Sequence, residues 1–171
     1  MLSGVLDQST KLTLQHTCII IMAGMIAVIG SALAFEYIGG YQPCKLCLQQ
    51  RLPWYAGVPV MGLASVSAYL QWSSKLTRIL IGMAGLIMIV SFVLGLRHAG
   101  VEWGWWAGPS DCGAVEGGIA AETENFLQQL QDTVPPACDD APLRILGLSF
   151  AGWNAIASAF LAALALRTVT K

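Results

Sequence analysis

Four apolar runs, at 17–35, 52–70, 79–96 and 148–166, contain no Asp, Glu, Lys, Arg or His. Each approaches the roughly 20 residues that a helix needs to cross the hydrocarbon of a bilayer. Backbone polar groups in hydrocarbon must be satisfied within their own segment, so each run is read as a helix. This predicts an all-α membrane protein, a four-transmembrane-helix bundle forming a single domain over 1–171. Composition agrees: only 11% of residues are charged, against about 25% in soluble domains. The net charge of −1 and the lack of any Lys/Arg cluster argue against nucleic acid as a partner and leave the lipid bilayer as the surroundings.

The first run ends in Ala32-Leu33-Ala34, a pattern that also suits a cleaved signal peptide. We read it instead as a retained helix. The sixteen residues before it, with Lys11 offset by Asp7, are not a short basic start. Cleavage would also leave the cysteine loop on a three-helix remnant.

Four spans place both termini on one side, with the segments 36–51 and 97–147 together on the other. The very short connection 71–78 carries Lys75 and Arg78 and no acid. Short loops weigh most in the positive-inside rule, so the termini are expected to be cytoplasmic. Cys44 and Cys47 lie in the first outer segment and Cys112 and Cys138 in the long one. Disulfides persist outside the cytoplasm, which agrees with that orientation. Cys18 sits at the opposite end of the first helix, about 30 Å of hydrocarbon away. A disulfide requires Cα atoms within about 7 Å, so Cys18 is assigned no chemistry.

The stretch Pro43-Cys44-Lys45-Leu46-Cys47-Leu48-Gln49-Gln50-Arg51 is where redox chemistry is expected. A helix N-terminus or a nearby cation lowers a thiol pKa, and Pro43 suits a first helical position. Arg51 falls on the face of Cys47 at i+4, so a thiolate at 47 would feel a guanidinium as well as the helix terminus. Pro53 biases Leu52 away from helical geometry, which threatens that turn. Zinc held by all four loop cysteines is disfavoured, because such sites use two short-spaced pairs and twenty-five residues separate Cys112 from Cys138. No metal is assigned. A purely structural role for two disulfides stays open.

The long segment carries Gly113, Gly117 and Gly118, then Ile119, Phe126, Leu127, Leu130 and Val134 near one helical face, and ends in Pro135-Pro136. It reads either as an amphipathic helix on the membrane surface or as a cover for the bundle. Just past the third run lie Arg97, His98 and Glu102, then Trp103, Trp105 and Trp106, an expected interfacial belt. In the last run Ala151, Ala155, Ala159 and Ala163 form a close-packing stripe, and Asn154 is read as a structural polar group facing the bundle.

These residues together resemble the disulfide bond formation protein B family, bacterial inner-membrane thiol oxidases. The resemblance is carried by Cys44-x-Leu46-Cys47-x-x-Gln50-Arg51, by His98 after the third helix, by the Cys112/Cys138 pair and by Leu146-Gly147-Leu148-Ser149. Ala151 departs from it where a proline is expected, and the long loop is rather acidic. The resemblance implies Cys44, Cys47, Cys112 and Cys138 as the catalytic cysteines. It places Cys47 beside a bound quinone (ubiquinone or menaquinone), with Arg51 polarising it and His98 nearby. Cys44 would exchange with Cys138, and Cys112 would form a mixed disulfide with a periplasmic thioredoxin-fold oxidase that the chain reoxidises. No Gly-x-Gly-x-x-Gly fingerprint competes with quinone as the electron sink. Two other readings remain. One is a vitamin K epoxide reductase-like enzyme, whose loop cysteines precede rather than follow its Cys-x-x-Cys. The other is a non-catalytic tetraspan protein with structural disulfides.

Overall fold

The structure, a computed structural model, describes residues 2–109, 138, 139, 141 and 143–170. Cys112 and the helix expected between Ile119 and Val134 lie outside the described residues. Among the described residues four helices dominate: α1 (Leu2–Tyr37), α2 (Lys45–Tyr69), α3 (Ser74–Glu102) and α4 (Phe150–Thr170). A minimal antiparallel hairpin, β1 (Arg144–Ile145) with β2 (Leu148–Ser149), precedes α4. Its turn residues Leu146 and Gly147 both have positive φ, at 53° and 83°, which suits a two-residue hairpin connection. Leu148 and Ser149 therefore pair as a strand before the last helix begins.

Among the described residues, three helical segments are long and apolar enough to cross a membrane: Leu12–Tyr37, Ser74–Glu102 and Phe150–Thr170. α2 has the length, at 25 residues, but Gln49, Gln50, Arg51, two prolines and two serines dilute its apolarity. The helix nevertheless runs unbroken through Pro53 and Pro59. The turn linking Cys47 to Arg51 is thus intact, despite the local bias against it.

α3 packs most extensively on α4 and α2, while α1 lies mainly against α2 and α4. The core gathers Cys18, Ile21, Met25, Trp54, Met61, Ile81, Met88 and Leu161. The side chains of Ile19, Ile20, Leu63, Leu86 and Phe160 point outward and are exposed, an exterior that only an apolar surrounding makes favourable. The α3–α4 approach depends on small residues: a Cβ on Gly95 would lie 3.0 Å from the Ala155 backbone nitrogen. The buried stripe on α4 runs Ala151, Ala155, Ser158, Ala162, Ala165, whereas Ala163 is exposed. A strict i+4 stripe drifts around a helix of 3.6 residues per turn, so the contact face alternates steps of four and three. Buried hydroxyls tie helices together, with Ser158 donating to Ser91 at 2.9 Å and Ser67 meeting Thr77 at 2.8 Å. In lipid such bonds replace part of the hydrophobic drive that water would supply.

Candidate functional site

The site begins where α1 ends. Gly40 turns the chain at φ 71°, and the extended residues that follow deliver Cys44 to the N-cap of α2 (φ −73°, ψ 170°). A helix N-terminus leaves backbone N–H groups without intrahelical partners. The Cys44 Sγ satisfies one of them, accepting from the Cys47 amide at 3.2 Å. Cys44 and Cys47 are free thiols whose Sγ atoms lie 2.9 Å apart.

Cys44 is the member of the pair surrounded by donors. The Cys47 thiol is the strongest of them; His98 Nε2, 3.6 Å away, and the Cys47 amide add to it. Together they lower the Cys44 pKa from 9.0 to about 4, against an opposing contribution from burial. Cys47 moves the other way, pushed far up by the hydrogen bond it gives to Cys44 and then by burial. The favoured thiolate is therefore Cys44, not the Cys47 thiolate expected from the Arg51 spacing.

Arg51 is engaged elsewhere. Its Nη1 pairs with Glu36 Oε2 at the end of α1, both side chains being largely buried. His98, on the last full turns of α3, faces Cys44 rather than a cavity: its Nε2 also lies 3.7 Å from Glu102 Oε1, and its Nδ1 meets Gln50 Nε2. Glu102 Oε2 is buried with no partner among the described residues. Cys138 is disulfide-bonded and packs with Cys44, Leu46 and Val101 in one small apolar cluster. The structure thus brings Cys44, Cys47, His98 and Cys138 together, while Arg51 lines a cavity with Cys47.

A cavity of about 260 Å³ opens beside Cys47 between α1, α2 and α4. Phe35, Tyr41, Phe150 and Trp153 give it aromatic walls, and Glu36, Arg51, Gln50 and Asn154 supply its polar groups. Phe35 and Phe150 pack in a tilted contact, with centroids 4.8 Å apart and ring planes at 54°. Apolar walls with a few convergent polar groups are the usual form of a small-molecule site.

Cys44, Cys47 and His98 also present three ligand atoms within 4.8 Å of one another. Two thiolates on a tetrahedral zinc ion lie roughly 3.8 Å apart, given Zn–S bonds of about 2.3 Å. The sulfurs here are nearer than that, which suits a dithiol poised to form a disulfide better than a metal pair.

Sequence reasoning marks neither Glu36, Trp54 nor Glu102 as a site residue, and Gln50 enters only as part of the motif that carries the resemblance. Glu102 had a signal, its i+4 spacing from His98; Glu36 had none, because its partner is set by how α1 meets α2.

The sequence model of the family described as disulfide bond formation protein DsbB matches residues 15–168. The chain is also similar to disulfide bond formation protein B of Marinobacter nauticus, with 31% identity over 144 residues, covering 80% of this chain and 79% of the relative. No solved structure matches the chain.

Proposed function

Because this chain belongs to the disulfide bond formation protein DsbB family, we propose that it is a membrane thiol oxidase of the bacterial inner membrane. It reoxidises a periplasmic thioredoxin-fold oxidase and passes the electrons to a membrane quinone, ubiquinone or menaquinone. The observation that carries this reading is Cys47 at the wall of an aromatic cavity, hydrogen-bonded to a thiolate-prone Cys44. In this reading α2 is the fourth span, and Lys75 and Arg78 hold the 71–78 turn, with both termini, in the cytoplasm.

The cavity fits a quinone headgroup. Phe35, Tyr41 and Phe150 offer flat apolar faces, and Arg51, Gln50 and Asn154 offer N–H donors for its oxygens. A quinone held there takes up the two electrons and two protons released when a dithiol becomes a disulfide. Arg51 stabilises negative charge developing at that wall, and Glu36 holds the guanidinium in place.

The cysteines divide the remaining work. Cys112 receives the partner's thiolate, forming a mixed disulfide and releasing Cys138. Cys138 then attacks a Cys44–Cys47 disulfide at Cys44, and Cys47 leaves as a thiol. The partner's second thiol displaces Cys112 from the mixed disulfide, which leaves the partner oxidised; the freed Cys112 then resolves the Cys44–Cys138 bridge, so that the third-loop disulfide re-forms and Cys44 and Cys47 are left reduced. Cys138 in a disulfide and packed beside free Cys44 supports this order, because the exchanging sulfurs share one apolar cluster.

The test is quinone reduction by the purified protein in detergent, supplied with a reduced thioredoxin-fold oxidase. Turnover in the wild type that is lost in Cys44→Ser and Cys112→Ser establishes the two-pair relay. Absence of turnover with either quinone, with the disulfides intact and inert, returns the protein to a structural role.

A further inference from the structure

Trp54, Asn154, Gln50 and His98 carry one hydrogen-bond chain across α2, α4 and α3. Trp54 Nε1 donates to Asn154 Oδ1 at 2.9 Å, and Asn154 Nδ2 donates to Gln50 Oε1 at 2.7 Å. Gln50 Nε2 then meets His98 Nδ1 at 2.5 Å. Trp54, Gln50 and Asn154 also line the cavity, so the chain runs from the cavity wall to the back of the dithiol.

Its direction is dictated at one end. An indole N–H is a donor and nothing else. Asn154 must therefore turn its oxygen to Trp54 and its nitrogen to Gln50. Gln50 in turn presents its oxygen to Asn154 and its nitrogen to His98. A ring nitrogen that faces an N–H donor is the bare nitrogen, so a neutral His98 carries its hydrogen on Nε2. The opposite edge of the ring makes the same demand. Nε2 faces two acceptors, Cys44 Sγ at 3.6 Å and Glu102 Oε1 at 3.7 Å.

We propose that Trp54, Asn154 and Gln50 are positioning residues that lock His98 in its Nε2–H tautomer and aim that hydrogen at the Cys44 sulfur. The lock follows from the hydrogen-bond polarity alone; its use, holding Cys44 as the anionic member of the pair, rests on the thiol-oxidase reading. Buried polar chains of this kind are strongly directional, because reversing one link leaves a buried group unpaired. Reversal here would set the Asn154 amide hydrogens against the Trp54 N–H.

The experiment is nitrogen NMR of the reduced full-length protein in detergent, labelled with ¹⁵N-histidine and assigned against His16→Gln, since the chain has two histidines. The expected wild-type signature is a protonated Nε2 and a bare Nδ1 at His98. Trp54→Phe removes the donor that sets the direction, and the Nδ1–H form should appear beside the first. Gln50→Glu places only acceptors at Nδ1, and the hydrogen should move there. In Trp54→Phe the pH profile of Cys44 alkylation should also shift upward. A wild-type His98 protonated on Nδ1, or one unmoved pattern across both variants, overturns the proposal. Inactivity in the quinone assay would leave the tautomer result standing, so the two readings fail separately.

Discussion

Reduced Cys44 is expected to react as a thiolate well below neutral pH, and the magnitudes decide where that is visible. The hydrogen bond from the Cys47 thiol, supported by those from His98 and the backbone, lowers its pKa from 9.0 to about 4. At about pH 5 such a thiol is roughly nine-tenths ionised, while an ordinary one is ionised to only a few parts in ten thousand. The lower basicity also weakens the nucleophile; a Brønsted coefficient of about 0.45 makes this thiolate on the order of a hundredfold less reactive than an ordinary one. Near neutral pH the two effects nearly cancel, and the rates differ by only severalfold. At about pH 5 the ionisation wins, and Cys44 should alkylate roughly thirty- to fiftyfold faster than a model thiol. The assay is iodoacetamide labelling of the reduced protein against pH, with the Cys44 peptide quantified by mass spectrometry. The wild-type rate should stay flat from about pH 5 upward, since ionisation is already complete there. Cys47→Ala removes the leading donor and should move the inflection to higher pH. A wild-type rate falling tenfold per pH unit below about pH 8, or an unchanged profile in Cys47→Ala, would refute the assignment of the thiolate to Cys44.

Three further outcomes follow from the same geometry. Arg51→Ala should raise the KM for quinone by roughly ten- to a hundredfold, the worth of one charge-assisted hydrogen bond, while single-turnover oxidation of the partner stays intact; Glu36→Gln, which removes the carboxylate that holds the guanidinium in place, should raise that KM by less. Cys18→Ala should leave turnover unchanged and cost about 1 kcal/mol of stability for the lost buried sulfur, read as a small drop in Tm in detergent. Gly95→Ala should cost about 1–3 kcal/mol, because the added methyl meets the Ala155 backbone and not a side chain that can swing aside; unfolding titrations in a denaturing detergent measure it.

The bundle was legible because a bilayer imposes the simplest of sequence patterns. The uncharged runs at 17–35, 79–96 and 148–166 locate α1, α3 and α4, and their ends shift for identifiable reasons. α3 continues to Glu102 because His98 and Glu102 find buried partners instead of ending the helix. α4 starts late because Leu146-Gly147 forms a turn and draws Leu148 and Ser149 into a strand. Pro53 shows where a local rule yields. The bias it places on Leu52 is worth less than the packing of Trp54 and Gly57 that a continuous α2 makes possible.

The site was legible only as far as spacing along one helix reaches. Cys44, Cys47 and Arg51 sit within two turns of each other, and their proximity could be argued from 3.6 residues per turn. Which cysteine holds the charge could not, because that depends on His98, 54 residues away, and on the cap geometry that points the Cys47 amide at Cys44. Arg51 read as a free cation because nothing local marks Glu36 as its partner. Asn154 shows the limit most clearly. As a lone polar residue in the last span it reads as structural, and it does face the bundle. Its two hydrogen bonds, to Trp54 and to Gln50, are joined to a third from Gln50 to His98, and only the rotation of three helices about their axes aligns all three. A single-span pattern carries no information about that rotation. The polarity of the chain adds what distances alone do not: with a donor-only indole at one end and two acceptors at the other, a neutral His98 keeps its hydrogen on the nitrogen that faces the Cys44 sulfur.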